Sequence, residues 1–409
     1  MKRYDTYKDS GVQWLGEIPG HWGCVPLKYF IETQSGTAIN VKELDDRGTY
    51  PVYGGGSQIG FCNKYNCEET EIIVGRVGAK CGCVTFPNKK VWATDNALII
   101  KTNLYPRFTA FVLVAADLNR LNAANAQPLI TGTKIKHVRI ALPPLSEQHS
   151  IVSFLDDKCG KIDEWVTKKQ KEVEHLQELK QRVIADAVTR GLNPHVKMKA
   201  TNIPWLKEIP EHWERNKVLR LFKQIGSGTT PSSGDASLYA DEGTPWLQSG
   251  DFNNNEINST SKFLTDKALD NYSLKLYNSG GVVIAMYGAS IGKVGLLNIA
   301  TTVNQACCVL SDSDHLLQKF SFYVFINEKD NLVKKSKGGT QPNISQEIIK
   351  SHYIPVPPLS EQRSIVSYLD AKCSKIDKLI ANITKEIECI KEYKQRLISD
   401  VVTGRIKVC

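Results

Sequence analysis

The strongest constraint on the fold is a long internal repeat. The sequence PPLSEQHSIVSFLDDKCGKID (143–163) returns 214 positions later as PPLSEQRSIVSYLDAKCSKID (357–377), without insertion or deletion. A second matched block opens each half, as WLGEIPGHW (14–22) and WLKEIPEHW (205–213). We interpret the chain as a tandem duplication in which each half has a Trp-bracketed lead, a divergent domain and a nearly constant C-terminal segment.

The nearly constant segment predicts a long helix in each half. The proline pairs before it favour extended backbone, so Ser146 and Ser360 are expected as N-caps, with Glu147 and Glu361 in the first turn. A helix from Ser146 to about Arg190 would be roughly 65 Å long. Apolar residues that alternate at spacings of four and three predict a coiled-coil seam. The seam residues are Ile162, Val166, Val173, Leu176, Val183 and Ala187 in the first copy and Ile376, Ile380, Ile383, Ile387, Ile390, Leu397 and Val401 in the second, with Lys169, Lys180 and Lys394 as polar interruptions. The alternative is two separate surface helices, each packed on its own domain.

The divergent domains have the composition of mixed α+β globules. Apolar, β-branched runs such as EIIVGRVG, NALIIKT, GVVIAMYG and ACCVLSD predict short buried strands, and FTAFVLVAADLNRLN and QKFSFYVFINEKDNLVKK predict one helix in each domain. The stretches YGGGSQIG (53–60) and GSGTTPSSGD (226–235) predict loops. Between the halves, VGRVGAKCG (74–82) resembles AMYGASIGK (285–293), and TDNA (94–97) resembles VNQA (303–306).

The predicted fold class is therefore α+β. Two globular domains are joined by two long helices that form an antiparallel coiled coil, with a pseudo-two-fold internal duplication. The expected segments are an N-terminal lead and first domain, a first long helix, a linker with the repeated Trp lead, a second domain, a second long helix and a short tail, at residues 1–142, 143–190, 191–213, 214–356, 357–404 and 405–409.

Bulk composition narrows the class of protein. Hydrophobic residues make up 41% and charged residues 23% of the chain, which is ordinary for a globular protein. No apolar run is long enough to span a bilayer, and the N-terminal residues do not have the pattern of a secretory signal. The eleven scattered cysteines favour free thiols in a reducing cytoplasm over a disulfide framework. A net charge of +9 is compatible with a polyanionic partner.

Together these residues resemble the specificity (S) subunit of type I restriction–modification systems. The proline pair before LSEQ, followed by IVSFLD and KQRVIADAVTRG, occurs twice, as in that family. In the second domain, GSGTTPS, GTPWLQSGDF, VVIAMYGASIGKVG, NQACCVL and KGGTQPNIS are typical of its target-recognition domains. The first domain differs, because YPVYGGGSQIGF belongs to another type of recognition domain and GTKIKHVRIALPP replaces the usual QPNIS-type lead. The resemblance covers nearly the whole chain.

The resemblance implies a non-catalytic subunit that binds double-stranded DNA. It implies a complex with two methyltransferase (modification) subunits and with motor/endonuclease (restriction) subunits, and a bipartite target with one half-site for each recognition domain. Because duplex DNA presents the same groove again after each turn of ~34 Å, two antiparallel helices could set the unread gap between unlike half-sites. The alternative is a coiled-coil scaffold whose globular ends bind proteins; a steep loss of binding with salt would indicate DNA instead.

Catalytic and cofactor-binding motifs are absent from the sequence. GASIGKV (288–294) has neither the glycine spacing nor the Ser or Thr of a phosphate loop, and we interpret it as a strand–turn–strand. No S-adenosylmethionine fingerprint, Asn-Pro-Pro-aromatic motif or metal-ligand spacing of histidines is found, so we expect no cofactor. Cys62, Cys67, Cys81 and Cys83 are a candidate zinc cluster, but their spacing favours buried free thiols.

Candidate DNA-contacting residues are the polar and basic side chains of the predicted loops, since such groups reach base edges and phosphates. In the first domain they are Ser57, Gln58, Arg76, Lys80 and Asn96; in the second they are Thr229, Thr230, Gln248, Ser249, Tyr287, Lys293, Gln305, Lys337 and Gln341. The bracketing tryptophans Trp14, Trp22, Trp205 and Trp213 are expected to form a structural clasp between domain and helix. Basic residues on the helix flanks are expected to be solvated, or to face phosphate or partner subunits; they are Lys168, Lys169, Lys171, Lys180, Arg182, Lys391, Lys394 and Arg396.

Overall fold

The computed structural model describes residues 2–78, 80–121, 129–336 and 343–408. It contains two compact units. Unit 1 comprises Met1–Lys171 and Ile383–Cys409, and unit 2 comprises Glu172–Asn382. In the described ranges, no helix has the length and apolar character needed to cross a membrane. The helices are α1 (Pro106–Ala115), α2 (Gly132–Lys136), α3 (Leu145–Arg190), α4 (Val218–Leu221), α5 (Asp266–Asn271), α6 (Gln318–Lys334), α7 (Gln346–Ser351) and α8 (Leu359–Val402).

Unit 1 is built on a four-stranded antiparallel sheet in the order β4-β10-β7-β8. A second sheet, β6-β5-β9, and two strand pairs, β1-β2 and β11-β3, complete the unit. Helix α1 packs on the four-stranded sheet, and both share one core with the long helices. The strands are β1 (Tyr7–Asp9), β2 (Glu17–Pro19), β3 (Gly23–Pro26), β4 (Ile31–Ser35), β5 (Tyr50–Tyr53), β6 (Gln58–Cys62), β7 (Ile72–Gly75), β8 (Val84–Thr85), β9 (Trp92–Ala93), β10 (Ala97–Thr102) and β11 (Arg139–Leu142).

Unit 2 repeats this plan around a five-stranded sheet in the order β15-β23-β20-β21-β18. A second sheet has the order β16-β19-β17-β22, and β12-β13 and β14-β24 are strand pairs. Helix α6 packs on β20 and β21. The strands are β12 (Met198–Ile203), β13 (Leu206–Pro210), β14 (Glu214–Lys217), β15 (Gln224–Ser227), β16 (Tyr239–Ala240), β17 (Thr244–Leu247), β18 (Asn255–Ile257), β19 (Phe263–Leu264), β20 (Val282–Ala285), β21 (Val294–Leu297), β22 (Thr302–Val303), β23 (Cys307–Ser311) and β24 (Tyr353–Val356).

The predicted core strands are confirmed, and their composition explains them. Strands β7, β20 and β23 are buried at every residue, so each is a continuous run of mostly β-branched or small apolar side chains rather than an alternating one. The two predicted domain helices are also found, as α1 and α6, but α1 ends at Ala115, seven residues before the predicted end. The α+β prediction therefore holds.

The long helices pack against each other within each unit, in opposite directions. In unit 1, Nζ of Lys394 lies 2.7 Å from both carboxylate oxygens of Asp163. In unit 2, Nζ of Lys180 lies 2.7 and 2.8 Å from those of Asp377. Each lysine and each aspartate is 214 positions from its counterpart, so the internal repeat uses the same ion pair twice. Separate surface helices are therefore wrong for both units.

The seam has the predicted apolar composition. Its buried members are Val173, Ala187, Ile376, Ile383, Ile387, Leu397 and Val401.

Two of the three polar interruptions, Lys180 and Lys394, are the lysines of the interhelical ion pairs. This corrects the expectation that they face solvent or phosphate. Lys169 lies with its Nζ 5.9 Å from the centre of the Trp165 ring. The other basic flank residues are exposed, as expected; they are Lys168, Lys171, Arg182, Lys391 and Arg396.

The predicted N-caps are wrong by two residues. Helices α3 and α8 begin at Leu145 and Leu359, and the backbone carbonyl of Pro144 accepts from Gln148 N at 3.0 Å. The second copy has the same bond from Gln362 to Pro358. A proline has no N–H to satisfy, yet its carbonyl can accept the first intrahelical bond. The serines therefore lie inside the first turn.

The predicted Trp clasp is confirmed, and its partner is the glutamate of that first turn. Trp22 is fully buried, and its Nε1–H donates to Oε2 of Glu147 at 3.1 Å. In unit 2, Trp213 is buried and donates to Oε2 of Glu361 at 2.9 Å. A neighbouring histidine contacts the other carboxylate oxygen at 2.6 Å in each unit, His21 in unit 1 and His212 in unit 2.

The remaining bracketing tryptophans also make structural contacts. In unit 2 the Trp205 ring stacks on His352 with centroids 4.8 Å apart, and its Nε1–H donates to Tyr353 O at 3.3 Å. In unit 1 the guanidinium of Arg120 lies 5.0 Å from the ring centre of Trp14.

The environment of Glu147 favours its ionised form. Burial alone would raise the pKa of this carboxyl, but hydrogen bonds from His21, Tyr4 and Trp22 outweigh burial and lower the pKa below its ordinary value. The carboxylate therefore joins the lead, which carries Tyr4, His21 and Trp22, to the start of α3 by charge-assisted hydrogen bonds.

We expect Trp213→Phe to lower the free energy of unfolding by more than Trp246→Phe. Both tryptophans are buried in unit 2 and lose the same atoms, but Trp246 donates to the neutral carbonyl of Thr229 at 3.2 Å. A hydrogen bond to a charged group contributes about 1.5–3 kcal/mol, against about 0.5–1.5 kcal/mol for a neutral one. Urea denaturation of the two variants measures the difference; equal losses would contradict a stabilising role for the carboxylate.

Candidate nucleic-acid interface

Four turns meet at one edge of unit 1, which we call loop edge 1 (residues 35–36, 53–58, 76–78, 80–83 and 94–97). Glycines allow the close approach. A Cβ at Gly56 would lie 2.9 Å from Lys80 Cβ, and one at Gly55 would lie 3.0 Å from Val77 O and 3.4 Å from Asn96 O. At Gly36 the backbone carbonyl of Thr94 leaves no room for a Cβ. The turns therefore form one surface, not separate loops.

Unit 2 builds the same edge, loop edge 2 (residues 227–230, 247–251, 286–293 and 304–306), with the same backbone hydrogen bonds. In unit 1, Gly75 N donates to Cys83 O at 2.9 Å and Arg76 N to Asn96 O at 3.1 Å. The corresponding bonds in unit 2 are Ala285 N to Lys293 O at 2.9 Å and Met286 N to Ala306 O at 2.7 Å. Two further pairs match in the same way: Ile130 N to Arg76 O with Ile344 N to Met286 O, and Thr94 N to Tyr53 O with Asn304 N to Leu247 O.

These bonds correct the sequence match between the halves by one residue. The motif comparison aligned Val74 with Ala285, whereas the backbone pairs Gly75 with Ala285 and Thr94 with Asn304. The corrected register also aligns Gly78 with Gly288 and Gly82 with Gly292, whereas the match of VGRVGAKCG to AMYGASIGK aligned no identical residues. Glycines in the left-handed region agree with the corrected register, since φ is +77° at both Gly78 and Gly288.

All five first-domain candidates lie on loop edge 1. Ser57 closes the turn between β5 and β6, where its carbonyl accepts from Gly54 N at 2.9 Å, and Gln58 follows it and is exposed. Lys80 and Asn96 are exposed in the next two turns, and Arg76 is half-buried between them. The structure thus brings together side chains that are up to 39 positions apart in the sequence.

The seven described second-domain candidates lie on loop edge 2. The Thr230 hydroxyl contacts the side-chain carbonyl of Gln305, and Gln248 and Ser249 occupy the turn that corresponds to the Gly54–Ser57 turn. Thr229 accepts the Trp246 indole N–H through its carbonyl. The other two are Tyr287 and Lys293, in the turn between β20 and β21. Lys337 and Gln341 fall outside the described residues.

Tyr287 lies where it can donate a hydrogen bond. Burial, and next the nearby Cys307, raise the pKa of its hydroxyl, which a hydrogen bond with Gln305 partly offsets. The hydroxyl therefore stays protonated at neutral pH. Thr230 and Gln248 also line a cavity of about 570 Å³ beside this edge, so polar groups of two different turns face one open space.

Three cations of the loop edges lack carboxylate partners. In the described part of the chain, Arg76, Lys80 and Lys293 have no carboxylate within ion-pair distance. By contrast, Lys101 pairs with Glu71 at 3.3 Å and Lys223 pairs with Asp314 at 2.7 Å. Cations without carboxylate partners leave their charge available to an anionic ligand.

The sequence did not reveal which residues support these side chains. Ser35 Oγ accepts from Nη1 of Arg76 at 3.1 Å, and Ser227, at the corresponding position of unit 2, accepts from Gln346 at 2.7 Å. A serine at the end of a strand carries no distinctive signal in one sequence. The pairing of β4 with β10, and of β15 with β23, is what reveals the equivalence.

The cysteine cluster of unit 1 does not gather into a metal site within the described ranges, where no group of three or more potential metal ligands is found. The thiols of Cys62 and Cys81 contact backbone carbonyls of Lys64 and Arg76. Burial raises the pKa of Cys67 to about 12, which disfavours the thiolate that a metal would need.

We expect Gly228→Ala to destabilise unit 2 and Gly250→Ala to leave it nearly unchanged. A Cβ at Gly228 would collide with the backbone carbonyl of Val303, whereas one at Gly250 would meet no atom within 4 Å. Overpacking costs about 1–3 kcal/mol, while an unhindered surface change stays within about 0.5 kcal/mol. Thermal melts of both variants provide the measurement; an unaffected Gly228→Ala would show that the turns do not depend on this close approach.

Comparisons with known proteins were consistent with one family. The family model described as "Type I restriction modification DNA specificity domain" matches residues 19–175 and again residues 210–389. The MjaVIII specificity subunit of Methanocaldococcus jannaschii is 29% identical over 417 residues, covering 96% of this chain and 94% of that protein. The MjaIX specificity subunit of the same organism is 24% identical over 443 residues, covering 99% and 98%. The putative MjaX specificity subunit is 29% identical over 286 residues, and the match spans 69% of this chain but only 62% of that relative.

One solved chain, from a structure described as showing complex assembly and conformational transition of the type I R-M system, has a TM-score of 0.68. It is 19% identical, and the match covers 95% of this chain and 99% of that one, which supports the fold. The resemblance drawn from the sequence is confirmed by the family model, whose two matches also confirm the internal duplication. The expectation of a non-catalytic specificity subunit is confirmed by the description of the family and the names of these relatives.

Proposed function

The chain belongs to the type I restriction–modification DNA specificity family, and from this membership we propose that it binds a bipartite, asymmetric DNA target, one half-site per unit. One observation carries the proposal: loop edges 1 and 2 share a backbone but differ in side chains. A shared backbone conformation suits two edges that each bind one half-site of DNA. Different side chains suit different base sequences, because base edges are distinguished by the donors and acceptors presented to them.

We propose that the described candidates on the two edges contact the half-sites. Lysine and arginine suit phosphates or guanine, while the amides of Asn96, Gln248 and Gln305 suit adenine. The proposed residues are Ser57, Gln58, Arg76, Lys80 and Asn96 for one half-site and Thr229, Thr230, Gln248, Ser249, Tyr287, Lys293 and Gln305 for the other. Lys337 and Gln341, which fall outside the described residues, remain proposed on the sequence alone.

The paired long helices are proposed to set the gap between the half-sites. Each unit contains a stretch of both helices, and one Lys–Asp ion pair connects the two helices there. A rigid spacer with one reader for each half-site would leave the intervening base pairs unread. The segment boundaries given above, from 1–142 to 405–409, form part of this proposal.

The proposed role of the bound chain is to direct partner subunits to the target. Two adenine-methyltransferase subunits and motor/endonuclease subunits would supply the chemistry, and this chain would supply the sequence specificity. The exposed basic residues of the helix flanks, such as Arg182 and Lys391, are candidates for contact with those subunits or with phosphates of the unread gap. Such a complex works on genomic DNA, which places it in the cytoplasm.

The decisive test is a strand-resolved map of methylated adenines in the host genome, with the gene for this chain intact and deleted. We expect the deletion to remove one motif that has two unlike half-sites around a fixed gap. An unchanged map in a host whose methyltransferase subunit is active would contradict the proposal and favour the protein-binding scaffold instead.

A second test concerns the salt dependence of binding. We expect Lys293→Gln, in the complex with the methyltransferase subunits, to reduce the slope of log K against log salt by about 1, the value for one phosphate contact. Lys223→Gln is the matched control, because Lys223 lies at the opposite end of β15 from loop edge 2 and is paired with Asp314. Equal slopes for the two variants would remove Lys293 from the interface.

A further inference from the structure

Among the described residues, one buried side-chain nitrogen or oxygen has no hydrogen-bond partner, and it is Nε of Arg76 on loop edge 1. Buried polar atoms are almost always satisfied, so an unsatisfied one calls for a specific reason. The guanidinium makes one hydrogen bond, from Nη1 to Ser35 Oγ at 3.1 Å. No carboxylate of the described chain lies within ion-pair distance of it.

The geometry of the guanidinium shows which of its N–H donors have no acceptor. The group is planar, and its Nε–H and one Nη2–H point the same way, so they form a two-donor face. Ser35 occupies Nη1 only. The two-donor face is therefore left without an acceptor from the described protein.

The backbone of Arg76 is fixed on both sides. Its N–H donates to Asn96 O at 3.1 Å, and its carbonyl accepts from Ile130 N at 2.9 Å and from the Cys81 thiol at 3.2 Å. The backbone from which the side chain extends is thus held by two neighbouring segments and needs no further ordering when a ligand binds.

Unit 2 shows that the fold does not need an arginine at this position. Met286 has the same backbone bonds, and its side chain is only 7% exposed. An apolar residue thus completes the equivalent turn, with no charged group and no unsatisfied donor. The equivalent turn is thus formed without an arginine, which leaves the donors of Arg76 available for recognition.

We propose that Arg76 reads a guanine in the half-site bound by unit 1, donating from Nε and Nη2 to O6 and N7 in the major groove. This inference rests on the proposed function. Guanine presents two acceptors side by side on that edge, which suits a bidentate guanidinium. Because Nε is shielded in the free chain, the guanidinium turns outward when DNA binds, and it breaks no hydrogen bond at Nε in doing so. Ser35 is a positioning residue that holds the group in the free state.

Arg76→Met provides the test, since it installs the residue that unit 2 uses. Duplexes carrying the target found by the methylation map are titrated with the complex, while each guanine of one half-site in turn is replaced by 7-deazaguanine, which lacks the N7 acceptor. We expect one replacement to weaken binding of the unaltered complex, and replacing that G·C pair by A·T to weaken it roughly 5- to 150-fold. The Arg76→Met complex should be insensitive to the 7-deazaguanine at that position. Lys101→Gln, a change at a cation of unit 1 that lies outside loop edge 1 and pairs with Glu71, should keep the full sensitivity.

Three results would overturn the inference. One is an Arg76→Met complex that binds every duplex more weakly by the same factor, with a salt slope reduced by about 1, since that behaviour indicates a phosphate contact. Another is a target whose unit 1 half-site contains no guanine. The third is an unaltered complex that is insensitive to 7-deazaguanine at every position, a result that needs no variant to fold. If the complex binds no bipartite target at all, the proposed function itself fails, which is distinguishable from all three.

Discussion

The carboxylate in the first turn of each long helix is the interaction on which each unit depends. Glu147 and Glu361 receive the indole N–H of a fully buried tryptophan, and that tryptophan packs against the glycine that ends the other long helix. A Cβ at Gly404 would lie 3.0 Å from the Trp22 ring, and one at Gly191 would lie 3.1 Å from the Trp213 ring. Through its tryptophan, one carboxyl side chain thus connects the lead segment, the start of one helix and the end of the other.

A rigid base of this kind allows the loop edges to vary. The turns of edges 1 and 2 are held by backbone hydrogen bonds and by glycines that admit close approach, neither of which depends on the exposed side chains. Position 76 in unit 1 and position 286 in unit 2 illustrate the consequence: the same backbone carries arginine in one unit and methionine in the other. Backbone atoms stabilise the turns, whereas exposed side-chain atoms would contact a ligand. The side chains can therefore change without loss of the turns.

Sequence reasoning recovered the parts of this arrangement that depend on periodicity and repetition. Buried apolar runs predicted β7, β10, β20 and β23, and the spacing of seam residues predicted α3 and α8, because buried positions select apolar residue types.

The sequence analysis misplaced the caps at Ser146 and Ser360, where a proline carbonyl accepts the first hydrogen bond of the helix. It also aligned the turns one residue out of register. The cap error concerns a backbone hydrogen bond, which leaves almost no trace in side-chain identity. The correct register, by contrast, could be predicted from the sequence, because it aligns Gly78 with Gly288 and Gly82 with Gly292. The candidate residues fell on the edges for the same reason that the strands were found: polar side chains between buried strands have few other places to lie. Their partners, such as Ser35, come from strands distant in sequence and could not be predicted.

The Lys–Asp pairs of the helix seam have a comparable logic. Lysine interrupts the apolar seam at Lys180 and Lys394, and each interruption faces an aspartate of the opposing helix, with the lysine about 70% buried. Such a pair contributes little to stability, since its aspartate is largely exposed to water and salt. Its effect is on register, because a shift that moves each lysine away from an aspartate would leave a largely buried ammonium group without a partner. A polar residue in an apolar seam specifies alignment at a cost in stability, and here the internal repeat places one such residue in each unit. For the proposed spacer, a seam that disfavours registers without ion pairs would keep the length more constant than a uniformly apolar seam.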